Sequence, residues 1–263
     1  MKKKIFKNVL LPLISVAVVI SILFVLSASI NNELILPSPK VIFMEFIGLF
    51  KSSVFYAEVG SDLSRVISSF TIAFSAALVF GVIAGMNEIA EKLLLPLTAA
   101  MRAAPTMAII LWCLMIFKTD KSPSAVSFVV TFPMLYAAVV GAVKGRDKKL
   151  AEMAAVYNVG KFRVLTKLVI PDVARKLFPQ FSSILAFNVK LIVAGEALAY
   201  TKLSLGREMA ISNANLESAK LLAITFAVIL LSVALQGLLN LIAYILRCSI
   251  NGYRNKRIDE KIR

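Results

Sequence analysis

The sequence contains no histidine and only two cysteines. Without histidine the chain lacks the commonest general base of enzymes and one of the two principal zinc ligands. Cys113 lies in an apolar block and Cys248 near a basic tail, and no CxxC occurs. This spacing argues against a disulfide framework, a zinc site or a haem site. We therefore expect no metal on this chain.

Three motifs of nucleotide and hydrolase chemistry are also absent, namely GxxxxGK[ST], HExxH and GxSxG. Without the first, the chain cannot cradle nucleotide phosphates in the usual phosphate loop. Without the other two, a membrane-embedded hydrolase has little support. The chain is therefore expected to be non-catalytic and to bind no cofactor, and any ATP hydrolysis must come from a partner.

Acidic residues are scarce, with 15 Asp and Glu against 30 Lys and Arg, a net charge of +15. Such a balance is typical of nucleic-acid binders when the basic residues share one soluble face. Here they lie between apolar blocks instead. Nucleic-acid binding is therefore not expected.

What the sequence has in excess is apolar residues, at 59% with a mean hydropathy of +0.83. A soluble domain has roughly 45–50%, and the excess here forms blocks close to the ~20 residues that a helix needs to cross a bilayer. We predict an all-α, multi-pass integral membrane protein. No internal repeat, low-complexity tract or long linker divides the chain, so 1–263 is expected to be one domain. Its six predicted spans are 9–30, 66–86, 97–117, 124–143, 181–199 and 221–246.

The first block follows three lysines and superficially resembles a secretory signal. It is about 22 residues long and is followed by only a weak cleavage signal at 27–29, which favours an uncleaved first helix. Six spans place both termini on one side. With the N-terminus inside, the cytoplasmic loops and termini collect twenty Lys and Arg against eight on the other side. Since cytoplasmic loops carry the excess, the predicted orientation is N-in, C-in.

Gly81 and Gly85 form a small-xxx-small pair in the second predicted span. Such pairs let helix backbones approach closely in lipid. Glycine is also simply common in membrane helices, and the sequence alone leaves both interpretations open.

The longest predicted cytoplasmic segment, about 144–180, contains a pattern typical of a short amphipathic helix over 148–158. Asp147 is a candidate N-cap, and Gly160 is predicted to supply the left-handed turn that ends the helix. Its alanines leave a shallow surface on which another protein could pack. Alternatively, the helix lies on anionic lipid, held by the lysines and arginines around it.

The same segment carries a specific resemblance. Glu152-x-Ala154-Ala155, then Gly160, then Ile170-Pro171 resembles the EAA loop of permeases in binding-protein-dependent ABC importers. The resemblance covers nearly the whole chain from about residue 34. It looks most like the nitrate, sulfonate and taurine class, through Leu36-Pro37-Ser38-Pro39, Arg102-Ala103-Ala104-Pro105, the stretch from Lys190 to Glu196, and Ser204-Leu205-Gly206. The substitution of Met153 inside the EAA element is a modest departure.

The resemblance implies a type I ABC importer permease fold in the bacterial inner membrane. It also implies a pair of permeases, expected here as a homodimer, with two ABC ATPase subunits that hold ATP and Mg²⁺ and an extracytoplasmic solute-binding protein. The 148–160 loop would dock on the ATPase, where Glu152 makes a polar contact, Ala154 and Ala155 allow close packing, and Gly160 turns the chain. The solute is expected to be small and anionic or polar. A secondary transporter and a non-transporting assembly subunit are the alternatives.

Two charges lie inside the predicted fifth span, Lys190 and Glu196. A lysine near mid-membrane costs about 2.5–3.5 kcal/mol even on insertion scales, so lipid exposure is not expected. Six residues apart, the two side chains are separated by roughly 120° around a helix and should not pair with each other. Candidates for the translocation path are Lys190, Glu196, Asn188 and Arg102. The alternatives are a structural ion pair to another helix, and for Arg102 a snorkelling anchor.

Overall fold

The computed structural model describes residues 14, 18, 21–22, 24–27, 29, 32, 34–145, 152–153, 156–157, 159–164, 166 and 170–262. Their regular elements are α-helices: α1 Pro39–Leu49, α2 Ser53–Met86, α3 Glu88–Ala103, α4 Thr106–Lys144, α5 Lys161–Val164, α6 Ile170–Ala199, α7 Leu205–Ala214 and α8 Ser218–Ile262. The predicted all-α class is thus confirmed for these residues.

Helix α2 begins at Ser53, well before the predicted start of its span at 66. The hydropathy pattern stopped at 66 because Glu58, Asp62 and Arg65 precede it. In the structure these charged residues lie on helical turns and the two carboxylates are buried. The helix ends at Met86, and the side chain of Asn87 then caps α3 by accepting a hydrogen bond from the Ile89 amide at 2.9 Å.

Helix α4 reverses direction at Lys118, whose backbone is non-helical (φ 60°, ψ −176°). Ile110 and Cys113 before this residue form one buried cluster with Val126 after it. In a straight helix residues 110 and 126 would be about 24 Å apart along the axis. The arms 106–117 and 119–144 therefore fold back on each other, as the separate predicted spans 97–117 and 124–143 require.

The prediction of one continuous helix over 97–117 is wrong. Helix α3 ends at Ala103, and Ala104 and Pro105 are extended with ψ of 132° and 129°. The cause is local, because a proline ring clashes with the backbone of the preceding residue and disfavours the α conformation there. Pro105 also lacks the N–H that would continue the hydrogen-bond ladder.

Four helices of the described chain are long and apolar enough to cross a membrane: Ser53–Met86, Thr106–Lys144, Gln180–Ala199 and Ser218–Ile242. Most of the predicted span 9–30 lies outside the described residues, although those that are described within it are helical. Six spans and the N-in orientation stay predictions.

Of the two interpretations that the sequence left open for Gly81 and Gly85, the structure shows the close approach of helices. A Cβ at Gly81 would lie 2.8 Å from the side chain of Val139, and one at Gly85 would lie 2.7 Å from that of Val143. Both valines belong to α4, one turn apart. Any larger residue in place of either glycine would push α2 and α4 apart, so the glycines set the spacing of the two helices.

Candidate functional site

A buried ionic cluster joins α2 to α6. Arg65 Nη1 lies 2.8 Å from Glu196 Oε1 and 3.3 Å from Asp62 Oδ1. Both carboxylate side chains are fully buried, whereas the arginine is 19% exposed. Burying carboxylates is costly unless a cation and hydrogen bonds compensate them. Glu196 thus forms an ion pair with a residue of another helix, which was one of the alternatives that the sequence left open for it.

The same cluster holds the turn between α6 and α7. Arg65 Nη2 donates to the Lys202 carbonyl at 3.0 Å, and Asp62 Oδ2 accepts from the Leu205 amide at 3.2 Å. Tyr200 and Leu203 in this turn have positive φ angles of 50° and 49°. Such conformations cost free energy for residues other than glycine. The hydrogen bonds to α2 stabilise the turn in spite of that strain.

Gly206 allows α7 to start against α6. A Cβ there would lie 2.3 Å from the Val193 carbonyl oxygen and 2.6 Å from Glu196 Cβ. Ser204 caps the helix by accepting a hydrogen bond from the Arg207 amide at 3.2 Å. The Ser204-Leu205-Gly206 motif thus combines a helix cap with a position where only glycine fits.

A second polar cluster lies deeper between three helices. Ser127 Oγ of α4 is 2.9 Å from Ser69 Oγ of α2 and 2.5 Å from Asn188 Oδ1 of α6. The Asn188 amide donates to the Val66 carbonyl at 3.3 Å. All three polar residues are at most 2% exposed. Asn188, predicted as a translocation-path candidate, thus connects helices in this conformation.

Lys190 lies on the opposite side of α6 from these clusters. It belongs to a stripe of exposed residues at helical spacing: Ser183, Phe187, Lys190, Ala194 and Leu198. As expected, it does not pair with Glu196. The stripe places a cation on a face of α6 that the described residues of this chain leave uncovered.

The break between α3 and α4 at 104–105 leaves polar backbone groups free. Because α4 begins at Thr106 after the extended Pro105, the amide N–H groups of 106–108 have no acceptor in a preceding turn. Arg102 lies in the last turn of α3, two residues before Ala104. Its side chain is exposed, as are those of Pro105 and Thr106. A cation is thus found beside a helix N-terminus, an arrangement that favours anions.

The predicted coupling segment is described in part. Glu152, Met153 and Val156 are helical and exposed, whereas Ala154 and Ala155 lie outside the described residues. Ile170 and Pro171 form the first turn of α6 and are exposed.

The left-handed turn predicted at Gly160 is wrong, since this residue has no positive φ. Its carbonyl instead accepts hydrogen bonds from the Arg163 and Val164 amides at 2.9 and 3.1 Å. Gly160 therefore caps the start of α5 at Lys161.

Sequence reasoning missed the partners that organise the site. Arg65 and Asp62 were assigned to a loop because they interrupt the apolar pattern, although their i, i+3 spacing is compatible with a helical ion pair. Ser69 and Ser127 gave no signal, because serine is common on any helix. Only the three-dimensional arrangement shows that both bind Asn188.

Comparison with known proteins agrees with this architecture. Residues 77–246 match the family described as "Binding-protein-dependent transport system inner membrane component". A Brucella melitensis biotype 1 protein named as an ABC transporter permease is 25% identical over 162 residues, covering 61% of this chain and 65% of that protein. The Bacillus subtilis protein SsuC, named as an aliphatic sulfonates transport permease, is 26% identical over 168 residues, covering 63% and 59%. These matches span less than two thirds of either relative.

Proposed function

Because this chain belongs to the family of binding-protein-dependent transport inner membrane components, we propose that it is the permease subunit of an ATP-driven importer. The match over 77–246 carries this proposal. In the proposed transporter the chain crosses the bacterial inner membrane six times with both termini inside. Two copies form the path, two separate ATPase subunits supply the energy, and an external binding protein delivers the solute.

The exposed stripe on α6 supports a second copy. Lys190 lies within an apolar helix that is long enough to span the membrane, and a charge there is costly against lipid. A solute path between two α6 helices would place Lys190 against water, the solute or the second permease. The proposed homodimer therefore removes the cation from lipid.

The helix break supports an anionic solute. Discontinuous membrane helices direct free amide N–H groups toward anions. At 104–105 such a break lies beside Arg102, and Lys190 provides a further cation on the face of α6 proposed to line the path. A small organic anion, such as the sulfonates named for one relative, is the solute class that these features favour.

Exchange of Lys190 for methionine tests the path. Lys190→Met keeps an unbranched side chain and removes the charge. We expect the same yield and oligomeric state as in the wild type, but initial uptake reduced by about tenfold or more. The reason is that the anionic solute would lose its cationic partner in a desolvated site. The measurement is initial uptake of candidate anions by proteoliposomes that contain the whole transporter.

Lys202→Met is the matched control. Lys202 is exposed in the turn after α6, and only its backbone carbonyl takes part in the ionic cluster. It should retain wild-type uptake. Normal assembly with normal uptake in Lys190→Met would contradict a role in the path, and failed assembly would instead indicate a structural pair.

Charge reversal at Glu152 tests the coupling segment. Because Glu152 is exposed and helical, Glu152→Arg should leave membrane insertion intact. At a contact with the ATPase, like charges brought together cost several kcal/mol, so we expect the ATPase to be lost on purification or to hydrolyse ATP without uptake. Copurification in detergent and uptake by proteoliposomes measure the two effects.

Glu88→Arg is the control, since Glu88 begins α3 at the end of α2 that the proposed orientation places inside. Glu88 carries the same charge at an exposed position outside the coupling segment. If Glu152→Arg behaves like Glu88→Arg, with ATPase retention and uptake at the wild-type level, the docking assignment is wrong. A permease that transports without any ATPase would contradict the importer itself.

A further inference from the structure

A cavity of about 360 Å³ lies at the end of the bundle where α1, α2, α7 and α8 meet. Its wall combines apolar residues with an unusual number of charges. The charged residues are Glu45, Glu58, Glu208 and Lys220, and the apolar ones include Leu49, Val54, Phe55, Leu205 and Ile224.

The cation of the wall is already paired. Lys220 Nζ lies 3.0 Å from Glu208 Oε2. This pair leaves the wall with two further carboxylates, Glu45 and Glu58, and no second cation, although Lys220 and Arg207 attract Glu58 electrostatically. Asp62, one turn along α2 from Glu58, adds a further carboxylate nearby, and Arg65 is already bound to Asp62 and Glu196.

Glu58 is the residue that points to a ligand. Only 6% of it is exposed, and its carboxylate makes no hydrogen bond or ion pair with any residue that the structure describes. Buried polar groups are normally hydrogen-bonded, and buried charges are normally paired. A cation in the cavity would supply the missing partner.

The arrangement fits an organic cation better than a metal ion. Among the described residues, no group of three or more acidic, cysteine or histidine side chains converges closely enough to hold a metal. The two carboxylates of Glu45 and Glu58 instead suit a ligand with two cationic groups, and the apolar wall suits methylene groups between them. We propose that this cavity binds an aliphatic diamine or a similar primary ammonium group.

The experiment uses the purified full-length protein and butane-1,4-diamine in isothermal titration calorimetry. We expect binding by the wild type and none of the uncharged butane-1,4-diol. Glu58→Gln should weaken diamine binding by about tenfold or more, since removing one partner of a desolvated charge pair costs at least that factor. Glu45→Gln, at an exposed position, should weaken it as well without disturbing packing.

Glu217→Gln is the matched control. Glu217 is exposed next to the start of α8 but is not part of the wall, so its variant should bind almost as tightly as the wild type. The proposal is overturned if the wild type does not bind the diamine, if diol and diamine bind alike, or if Glu217→Gln weakens binding as much as Glu45→Gln. If Glu58→Gln does not fold, the comparison of diamine binding by Glu45→Gln and Glu217→Gln still tests the proposal.

Binding measurements in nanodiscs distinguish two sources of the ammonium group, a lipid headgroup and a soluble amine. In phosphatidylglycerol discs the diamine should bind as in detergent. Weaker binding in phosphatidylethanolamine discs would identify the lipid headgroup as the natural occupant, and unchanged binding would identify a soluble amine. None of these measurements depends on ATP or uptake, so failure here leaves the proposed importer function untouched.

Discussion

Replacing Arg65 with methionine is expected to destabilise the protein by about 3–5 kcal/mol, the usual cost of removing one partner from a buried ion pair. Glu196 and Asp62 would remain fully buried without their cation. The turn at Lys202 would also lose its hydrogen bond from the guanidinium group. Thermal unfolding in detergent should show a Tm lower by on the order of 10 °C.

Arg207→Met provides the control, because Arg207 is exposed and makes no ion pair with a described residue. Its Tm should stay close to that of the wild type. The combination Arg65→Met with Glu196→Gln should recover part of the loss, since one of the two uncompensated carboxylates is then removed. If Arg65→Met unfolds at the wild-type temperature, the cluster contributes nothing to stability and its assignment is wrong.

Replacing Gly206 with alanine is expected to cost roughly 3 kcal/mol, at the upper end of the range for overpacked sites. The added Cβ would meet the Val193 carbonyl oxygen at 2.3 Å and the Ala197 nitrogen at 2.7 Å. Both are backbone atoms of α6, so relief requires α7 to move away from α6. The same thermal measurement detects the loss.

Gly60→Ala is the matched control, because a Cβ at this glycine of α2 meets nothing within 4 Å. Alanine favours a helix over glycine by roughly 0.5–1 kcal/mol, so this variant should be as stable as the wild type or slightly more stable. Equal behaviour of the two alanine variants would show that α7 accommodates the methyl group without strain.

The sequence predicted the all-helical class well, since long apolar blocks in lipid leave the backbone few alternatives. It offered close helix contact at Gly81 and Gly85 as one of two interpretations, and only the positions of Val139 and Val143 decide between them. The resemblance in the EAA segment predicted the family, which the match over 77–246 confirms.

Hydropathy failed wherever polar groups are compensated inside the protein. It cut α2 short at 66, because a window counts Asp62 and Arg65 as a loop and cannot detect Glu196, the partner of Arg65 131 residues later. It also passed over the break at Pro105, because a window averaged over many mostly apolar residues is insensitive to one proline. Both features depend on contacts or backbone geometry rather than on average composition.

The separation of Arg65 and Glu196 along the chain has a consequence for biogenesis. At about 5–20 residues per second, the ribosome synthesises Arg65 on the order of ten seconds before Glu196. Asp62 and Arg65 pair within α2 alone, so the nascent helix enters the membrane with one neutral ion pair instead of two free charges. The additional carboxylate arrives only with α6, when its cation is already in place. For this cluster, the order of translation thus leaves one uncompensated charge at most.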